Sequence, residues 1–253
     1  MSQQIVILAA GKGTRMGSEY PKVLLPLSQD TLDDSGMNTV IEHLLDEIKD
    51  VPQDKAPIIV VGFQEELVKK KLGSNYSYVT QFDQKGTAHA VLSCKGTVTA
   101  ENFIVLYGDM PFTSKESLQN LIDLHTNNAA KISMFTSKLP NFENEYSHFL
   151  GFGRIIRDDE DHIIKIQEYK DCDEEQKQIP EVNPGIYMFH TDWLWKQLEA
   201  IGDHNAQHEF YLTDIVEMAI KDNQTIYSLP ISPKEIYGIN TPEHLEFARK
   251  LVE

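Results

Sequence analysis

Residues 5 to 16 read Ile5-Val6-Ile7-Leu8-Ala9-Ala10-Gly11-Lys12-Gly13-Thr14-Arg15-Met16. The apolar run Ile5 to Leu8 suits a strand buried on both faces. It then breaks into a glycine loop. Glycine tolerates positive φ and lets the backbone come close to a ligand. Successive loop amides make a concavity that takes an anion such as a phosphate. Arg15 has the fork geometry to clamp two phosphate oxygens. Lys22, after the helix-breaking Pro21, adds a second, point-like positive charge. A strand ending in such a loop puts a phosphate site at the carboxyl edge of a sheet. The stretch matches neither common glycine motif. A dinucleotide loop needs a glycine where Met16 stands, and a P-loop needs a Gly-Lys-Ser/Thr ending. Read without its neighbours, it also fits a tight strand-to-helix turn with surface charges.

Outward from this stretch, short apolar runs alternate with amphipathic ones. Spacing predicts strands over 57–61, 76–80 and 102–107. Helices are predicted over 40–48, 65–72, 87–93 and 115–127, with Ile41, Leu44, Leu45 and Ile48 on one face of the first. This rhythm predicts an α/β fold: a Rossmann-like, doubly wound, mixed and mainly parallel sheet. Such sheets bind ligands beyond the carboxyl ends of their strands. From Lys131 strands become more frequent, at 132–136, 153–157, 162–167, 185–189 and 225–229. Helices are expected over 192–200, 209–222 and 242–252, the last capped by Thr241 with Pro242 at its first position. The expectation is a single domain over 1–253, with a nucleotide-facing half to about residue 130 and a sugar-facing half beyond it. The segments 28–38 and 171–178 read as acidic or polar loops.

The chain has 253 residues and a formal charge of −16. That charge argues against a nucleic-acid partner, since phosphate backbones select basic surfaces. A small anionic substrate needs only a local positive pocket. Cys94 and Cys172 are far apart and have no metal-ligand spacing, which suits reduced thiols in the cytoplasm. The N-terminus lacks a basic leader, and no apolar run approaches the roughly 18 residues of a membrane span. Neither a signal peptide nor a membrane partner is expected. The sequence assigns no oligomeric state.

Two further constellations carry chemistry. In Gln81-Phe82-Asp83-Gln84-Lys85-Gly86-Thr87-Ala88-His89-Ala90, Gln81 offers a donor and an acceptor to a base edge, and Gly86 offers backbone at close range. Alone, this also fits a polar loop before a helix. In Tyr107-Gly108-Asp109-Met110-Pro111, an apolar strand delivers a carboxylate to the sheet edge. Magnesium takes one or two carboxylates plus substrate phosphate and water, although Asp is also a frequent turn residue. His204 and His208 lie four apart without the partners of a zinc site and read as surface histidines. At least one of Trp193 and Trp195 is expected to pack. No nucleophile-base pair stands out.

Leu8 through Met16 followed by Pro21-Lys22-Val23-Leu24 resembles the signature of sugar-1-phosphate nucleotidyltransferases. Later segments narrow the resemblance. They are the Gln81 and Asp109 constellations, Gly151-Phe152-Gly153-Arg154-Ile155, Gln167-Glu168-Tyr169-Lys170-Asp171, Glu181-Val182-Asn183-Pro184-Gly185-Ile186, Glu209-Phe210-Tyr211-Leu212-Thr213-Asp214-Ile215 and Gly238-Ile239-Asn240. In that order they are similar to the uridylyltransferase domain of the N-acetylglucosamine-1-phosphate uridylyltransferases, over nearly the whole chain.

The resemblance implies Mg2+-dependent transfer of a uridylyl group from UTP to N-acetylglucosamine 1-phosphate, with release of pyrophosphate. It implies that Leu8, Ala9, Ala10, Gly11 and Gly13 hold the nucleotide, with Arg15 and Lys22 on its phosphates as the catalytic cations. Gln81, Gly86 and Thr87 would contact uracil, and Tyr107 and Gly108 would complete the substrate pocket. Asp109 and Asn240 would hold Mg2+. Gly153, Glu168 and Asn183 would face the amino sugar and ribose. Bifunctional members add a C-terminal left-handed β-helix for acetyl transfer. No hexapeptide repeat occurs here, so neither that activity nor the trimer it builds is expected. Pro184 stands where the family often has threonine, Ala88 replaces a frequent glycine, and 28–38 is longer and more acidic than usual. Another sugar 1-phosphate, such as glucose 1-phosphate, remains an open alternative, as does a sugar-nucleotide-binding module without turnover. A dinucleotide fold is disfavoured by Met16.

Overall fold

The computed structural model describes residues 2–27 and 38–252. Most of the acidic loop expected at 28–38 therefore lies outside the described residues.

Ten strands form one sheet among the described residues: β1 (Gln3–Leu8), β2 (Ile58–Val61), β3 (Ser77–Thr80), β4 (Asn102–Tyr107), β5 (Ile132–Lys138), β6 (Gly153–Arg157), β7 (Ile163–Gln167), β8 (Glu181–Asn183), β9 (Tyr187–His190) and β10 (Ile226–Pro230). Their order is β3-β2-β1-β4-β9-β5-β8-β6-β7, with β10 beside β5. β1 to β4 pair parallel with one another, and β10 pairs parallel with β5. β9 runs antiparallel between β4 and β5, and β8, β6 and β7 continue antiparallel. The sheet is thus mixed, with parallel pairing concentrated in the first half.

Among the described residues seven α-helices flank it: α1 (Val40–Ile48), α2 (Glu65–Leu72), α3 (Thr87–Leu92), α4 (Lys115–Asn127), α5 (Thr191–Leu198), α6 (Asp214–Lys221) and α7 (Pro242–Val252). α1 starts at Thr39 because Thr39 and Glu42 cap each other's backbone amides. Its Ile41, Leu44, Leu45 and Ile48 are buried as expected. α7 starts where the Thr241 hydroxyl accepts the His244 amide at 3.3 Å. Alternation along β1 sends Ile5 and Ile7 to one apolar layer, with α1, α4 and α7. Val6 faces the other, with α3, α5 and α6. Both tryptophans of α5 pack: Trp195 stacks on Phe103, and Trp193 donates to Asp222 at 2.8 Å. His204 and His208 are exposed.

Several element ends shift by one or two residues, and three differences from expectation have a structural cause. The helix expected from Glu209 begins only at Asp214. Residues 209–211 stay out of the helix, and 212–213 form only a turn, because the Phe210 amide donates to the Lys85 carbonyl at 2.8 Å and its carbonyl accepts from the Ala88 amide at 2.9 Å. Those tertiary bonds replace a helix turn. The strand expected at 185–189 begins at Tyr187, since Gly185 takes φ 80° beside Pro184. The three-residue β8 was not anticipated; it is too short to show a period.

Candidate active site

The carboxyl ends of the parallel strands open onto a cavity of about 400 Å3. Leu8, Ala9, Ala10 and Gly11 form one wall as β1 runs into its loop. Gly13 takes φ 58° and Gly17 φ 61°, and a short 3-10 turn, Thr14–Met16, stands between them. These left-handed positions aim the loop back across the sheet edge, a conformation that favours glycine. A Cβ on Gly13 would lie 3.1 to 3.3 Å from the Lys22 stem, so the glycine also makes room for that lysine. Lys22 itself begins a second 3-10 turn, Lys22–Leu24, after Pro21.

Lys22, Asp109 and Asn240 meet at the floor. Asp109 follows β4 and is buried. The Ile239 amide donates to the Asp109 carbonyl at 2.8 Å, which brings Asn240 alongside from the distant segment before α7. The Lys22 ammonium donates to Asp109 Oδ2 and, at 2.9 Å, to Asn240 Oδ1. Arg15 Nη2 donates to the same amide oxygen at 3.2 Å. Two cations, one carboxylate and one amide oxygen are thus gathered next to the glycine loop. Two of the oxygens are hard donors already facing positive charge, a set that suits a hard divalent cation.

The opposite wall carries Gln81, Gly86 and Thr87. The buried Gln81 amide nitrogen lies 3.2 Å from the Gly86 carbonyl and 3.2 Å from His89 Nδ1. That fixes the side chain and, by elimination, aims its carbonyl oxygen as an acceptor. The Thr87 hydroxyl accepts the Leu212 amide at 3.0 Å. Gly86, at φ 109°, lies so close to the segment around Phe210 that a Cβ would meet the Phe210 carbonyl at 2.6 Å. Tyr107 joins this lining, whereas Gly108 packs beneath it against Ala9 and Ile7.

A second cavity of about 280 Å3 adjoins the first and shares Thr87, Tyr107 and Met110 with it. Gly153, Glu168 and Asn183 all line it. Gly153 sits opposite Asn183 in the β6–β8 ladder. Both ends of the Asn183 amide are engaged inside the protein. It donates to Tyr187 Oη at 2.7 Å and accepts the Gly185 amide at 3.0 Å. Glu168 accepts from the Thr213 hydroxyl at 3.0 Å, and burial pushes its carboxyl above the ordinary range. Most of the residues named from the sequence therefore line two joined cavities; Gly108 lies beneath them, Gly13 packs on the Lys22 stem, and Arg15, itself exposed, reaches the first only through Asn240.

Several lining residues had no assigned role. Gln84 donates to the Ala10 carbonyl at 2.6 Å and ties the two walls together. Glu209 lines both cavities, and Gln207 the second. Gln84 and Glu209 lie within motifs that the resemblance rests on, yet only the pairing of Phe210 with residues 85–88 brings the Glu209 segment here. His244 accepts the Asn240 amide on Nδ1 at 3.3 Å, and its ring meets His148 edge-on at 4.0 Å. His148 stacks on Tyr237, and burial, His244 and Arg15 together press its pKa down to about 3. No sequence signal marked this packed, neutral histidine.

Residues 5–179 match the model of the MobA-like NTP transferase domain. The chain is 38% identical over 249 residues to the "Bifunctional protein GlmU" of Desulfotalea psychrophila, covering 96% of this chain and 68% of that protein. It is 39% identical over 242 residues to the protein of the same description from Francisella tularensis subsp. novicida, covering 95% of this chain and 49% of the relative. The chain thus spans about half the length of that relative. A solved structure of UDP-glucose pyrophosphorylase complexed with UDP-glucose shares the fold, with a TM-score of 0.74, 18% identity and coverage of 100% of this chain and 98% of that one. No helix among the described residues is long and apolar enough to cross a membrane. By sequence and by fold, the chain belongs to the MobA-like NTP transferase family and is a nucleotidyltransferase.

Proposed function

We propose that the protein transfers a uridylyl group from UTP to N-acetylglucosamine 1-phosphate, with Mg2+, yielding UDP-N-acetylglucosamine and pyrophosphate. The observation that carries this is the convergence of Lys22, Arg15, Asp109 and Asn240 beside the Gly11–Gly13 loop, with Gln81 held as an acceptor across the cavity. In-line attack by the sugar phosphate oxygen on the α-phosphorus forms one P–O bond. The bond to the β-phosphate breaks, and the electron pair leaves with pyrophosphate. No protein nucleophile is needed, so positioning and charge stabilisation carry the rate. Arg15 and Lys22 draw the phosphates against the loop amides. Gln81 reads the base, while Glu168 and Asn183 shape the sugar cavity.

Asp109 and Asn240 would hold Mg2+; when bound, it neutralises charge building on the phosphate oxygens. The Asp109 carboxylate and the Asn240 amide oxygen already converge on one cationic group, which supports this role. Two free, buried thiols at Cys94 and Cys172 support a cytoplasmic setting.

A second reading, transfer to another sugar 1-phosphate, is favoured by one observation. Pro184 lines the sugar cavity beside Asn183 and can donate no backbone hydrogen bond. Both readings are tested by pyrophosphate release with UTP and other nucleoside triphosphates against a panel of sugar 1-phosphates with Mg2+. Release peaking with N-acetylglucosamine 1-phosphate supports the first reading, and a peak with another sugar supports the second. UDP-sugar binding without release from any pair would leave a binding module.

A further inference from the structure

The Lys22 ammonium occupies the point on which Asp109 Oδ2 and Asn240 Oδ1 converge. Arg15 adds a second cationic donor to that amide oxygen at 3.2 Å. The Lys22 and Asp109 side chains retain only 16% and 11% of their exposure, so solvent screens the pair weakly. A divalent cation bonded to both oxygens would sit about 2 Å from each. That position lies inside the volume the ammonium holds. Three positive charges crowded onto one carboxylate would repel, so lysine and metal exclude each other there.

We infer that Lys22 is a built-in occupant of the divalent-cation position and leaves it only when a triphosphate offers its ammonium another anion. The fold gives the lysine somewhere to go. Its stem is fenced by Gly13, while its head lines the same cavity as Gly11. Rotation about its last bonds swings the ammonium from Asp109 toward the loop that takes the phosphates. Metal and nucleotide therefore enter together, and the nucleotide-free protein binds a free divalent cation weakly. The identity of the two metal-bearing oxygens rests on the function proposed above, but the lysine's behaviour can be read without turnover.

The test is Mn2+ binding to the full chain in the absence of nucleotide, followed by the electron paramagnetic resonance signal of free Mn2+. Lys22→Met keeps the stem and removes the charge. It should bind Mn2+ at least about tenfold more tightly than the wild type, because Asp109 is left as an uncompensated carboxylate. Adding Asp109→Asn should abolish the gain. Arg15→Met removes a nearby charge that does not fill the position, so its effect should be much smaller. Lys22→Gln serves the same purpose should Lys22→Met fail to fold by circular dichroism.

Equal or weaker Mn2+ binding by the Lys22 variants would overturn the inference. So would an equal gain in Arg15→Met, which would mean general charge rather than occupation. A protein that releases pyrophosphate from UTP without a Lys22→Met gain refutes this inference alone. A gain without pyrophosphate release from any substrate pair refutes the proposed function alone.

Discussion

β1, β2, β3 and β4 run parallel, and β1 and β4 deliver their site residues at adjacent carboxyl ends. β6, β8 and β9 run antiparallel, and the second cavity beside them is finished by the segment around Glu209 and Tyr211 from elsewhere in the chain. In the first half, a loop and its strand are contiguous in sequence, and Leu8 to Gly13 carries its own instructions. In the second half, Asn183 spends both ends of its amide inside the protein, on Tyr187 and Gly185. Parallel strand ends present functional groups directly. The antiparallel half holds shape and leaves fewer polar ends free for a ligand.

The largest expected effect strikes the parallel half. Asp109→Asn should lower turnover about a thousandfold or more, with circular dichroism unchanged, because a charge at the reacting phosphates is lost without volume. Near-normal turnover would remove Asp109 from the chemistry. Next comes the junction. Gly86→Ala forces a Cβ to 2.6 Å from the Phe210 carbonyl at a positive φ. It should cost about 2 to 4 kcal/mol in urea unfolding and weaken both substrates, since the two walls meet there. If only one substrate suffers, the halves are less tied than the geometry implies.

Asn183→Ala tests the shaping role. It leaves the Tyr187 hydroxyl and the Gly185 amide without their partner, at a cost of about 1 to 3 kcal/mol. KM for the sugar phosphate should rise while KM for UTP stays near its normal value. An equal rise in both would dissolve the contrast between the halves. The effect with the smallest reach into activity lies at the seam itself and shows only in stability against pH. His125 sits between Ser133 of β5 at 2.9 Å and Asn102 of β4 at 3.2 Å. Burial, helped by His190 and Lys131, lowers its pKa from 6.5 to about 4. The folded state therefore disfavours the proton that the unfolded chain accepts. This residue's contribution falls as pH drops from 6.5 toward 4, by up to about 3 kcal/mol. An NMR titration of the ring should show a midpoint near 4; a midpoint at or above 6 would deny it this role.

Much of the fold was legible because burial imposes a period. α1, α4 and α7 begin and end where their apolar spacing predicts, the last with its Thr241 cap. Gly13 was legible for a different reason: few residues accept its backbone angle. The 209–213 segment was not legible, because Phe210 gives up helix bonds for partners more than a hundred residues away in sequence. Asn240 was assigned through resemblance alone. Nothing local marks it as a neighbour of Lys22, and only the Ile239–Asp109 backbone bond brings it there. His148 escaped notice since a histidine that only packs has no sequence pattern.

The Phe210 pairing has an evolutionary consequence. Main-chain hydrogen bonds to Lys85 and Ala88 hold the 209–213 segment in place whatever its side chains are. Glu209 can thus be exchanged without releasing the segment, and if the proposed function holds, a lineage can try new acceptor sugars by altering a few side chains on and beside an anchored ribbon. On the proposed function, the same ribbon is a graft point for redirecting the protein to unfamiliar sugars, with the glycine-loop end left untouched.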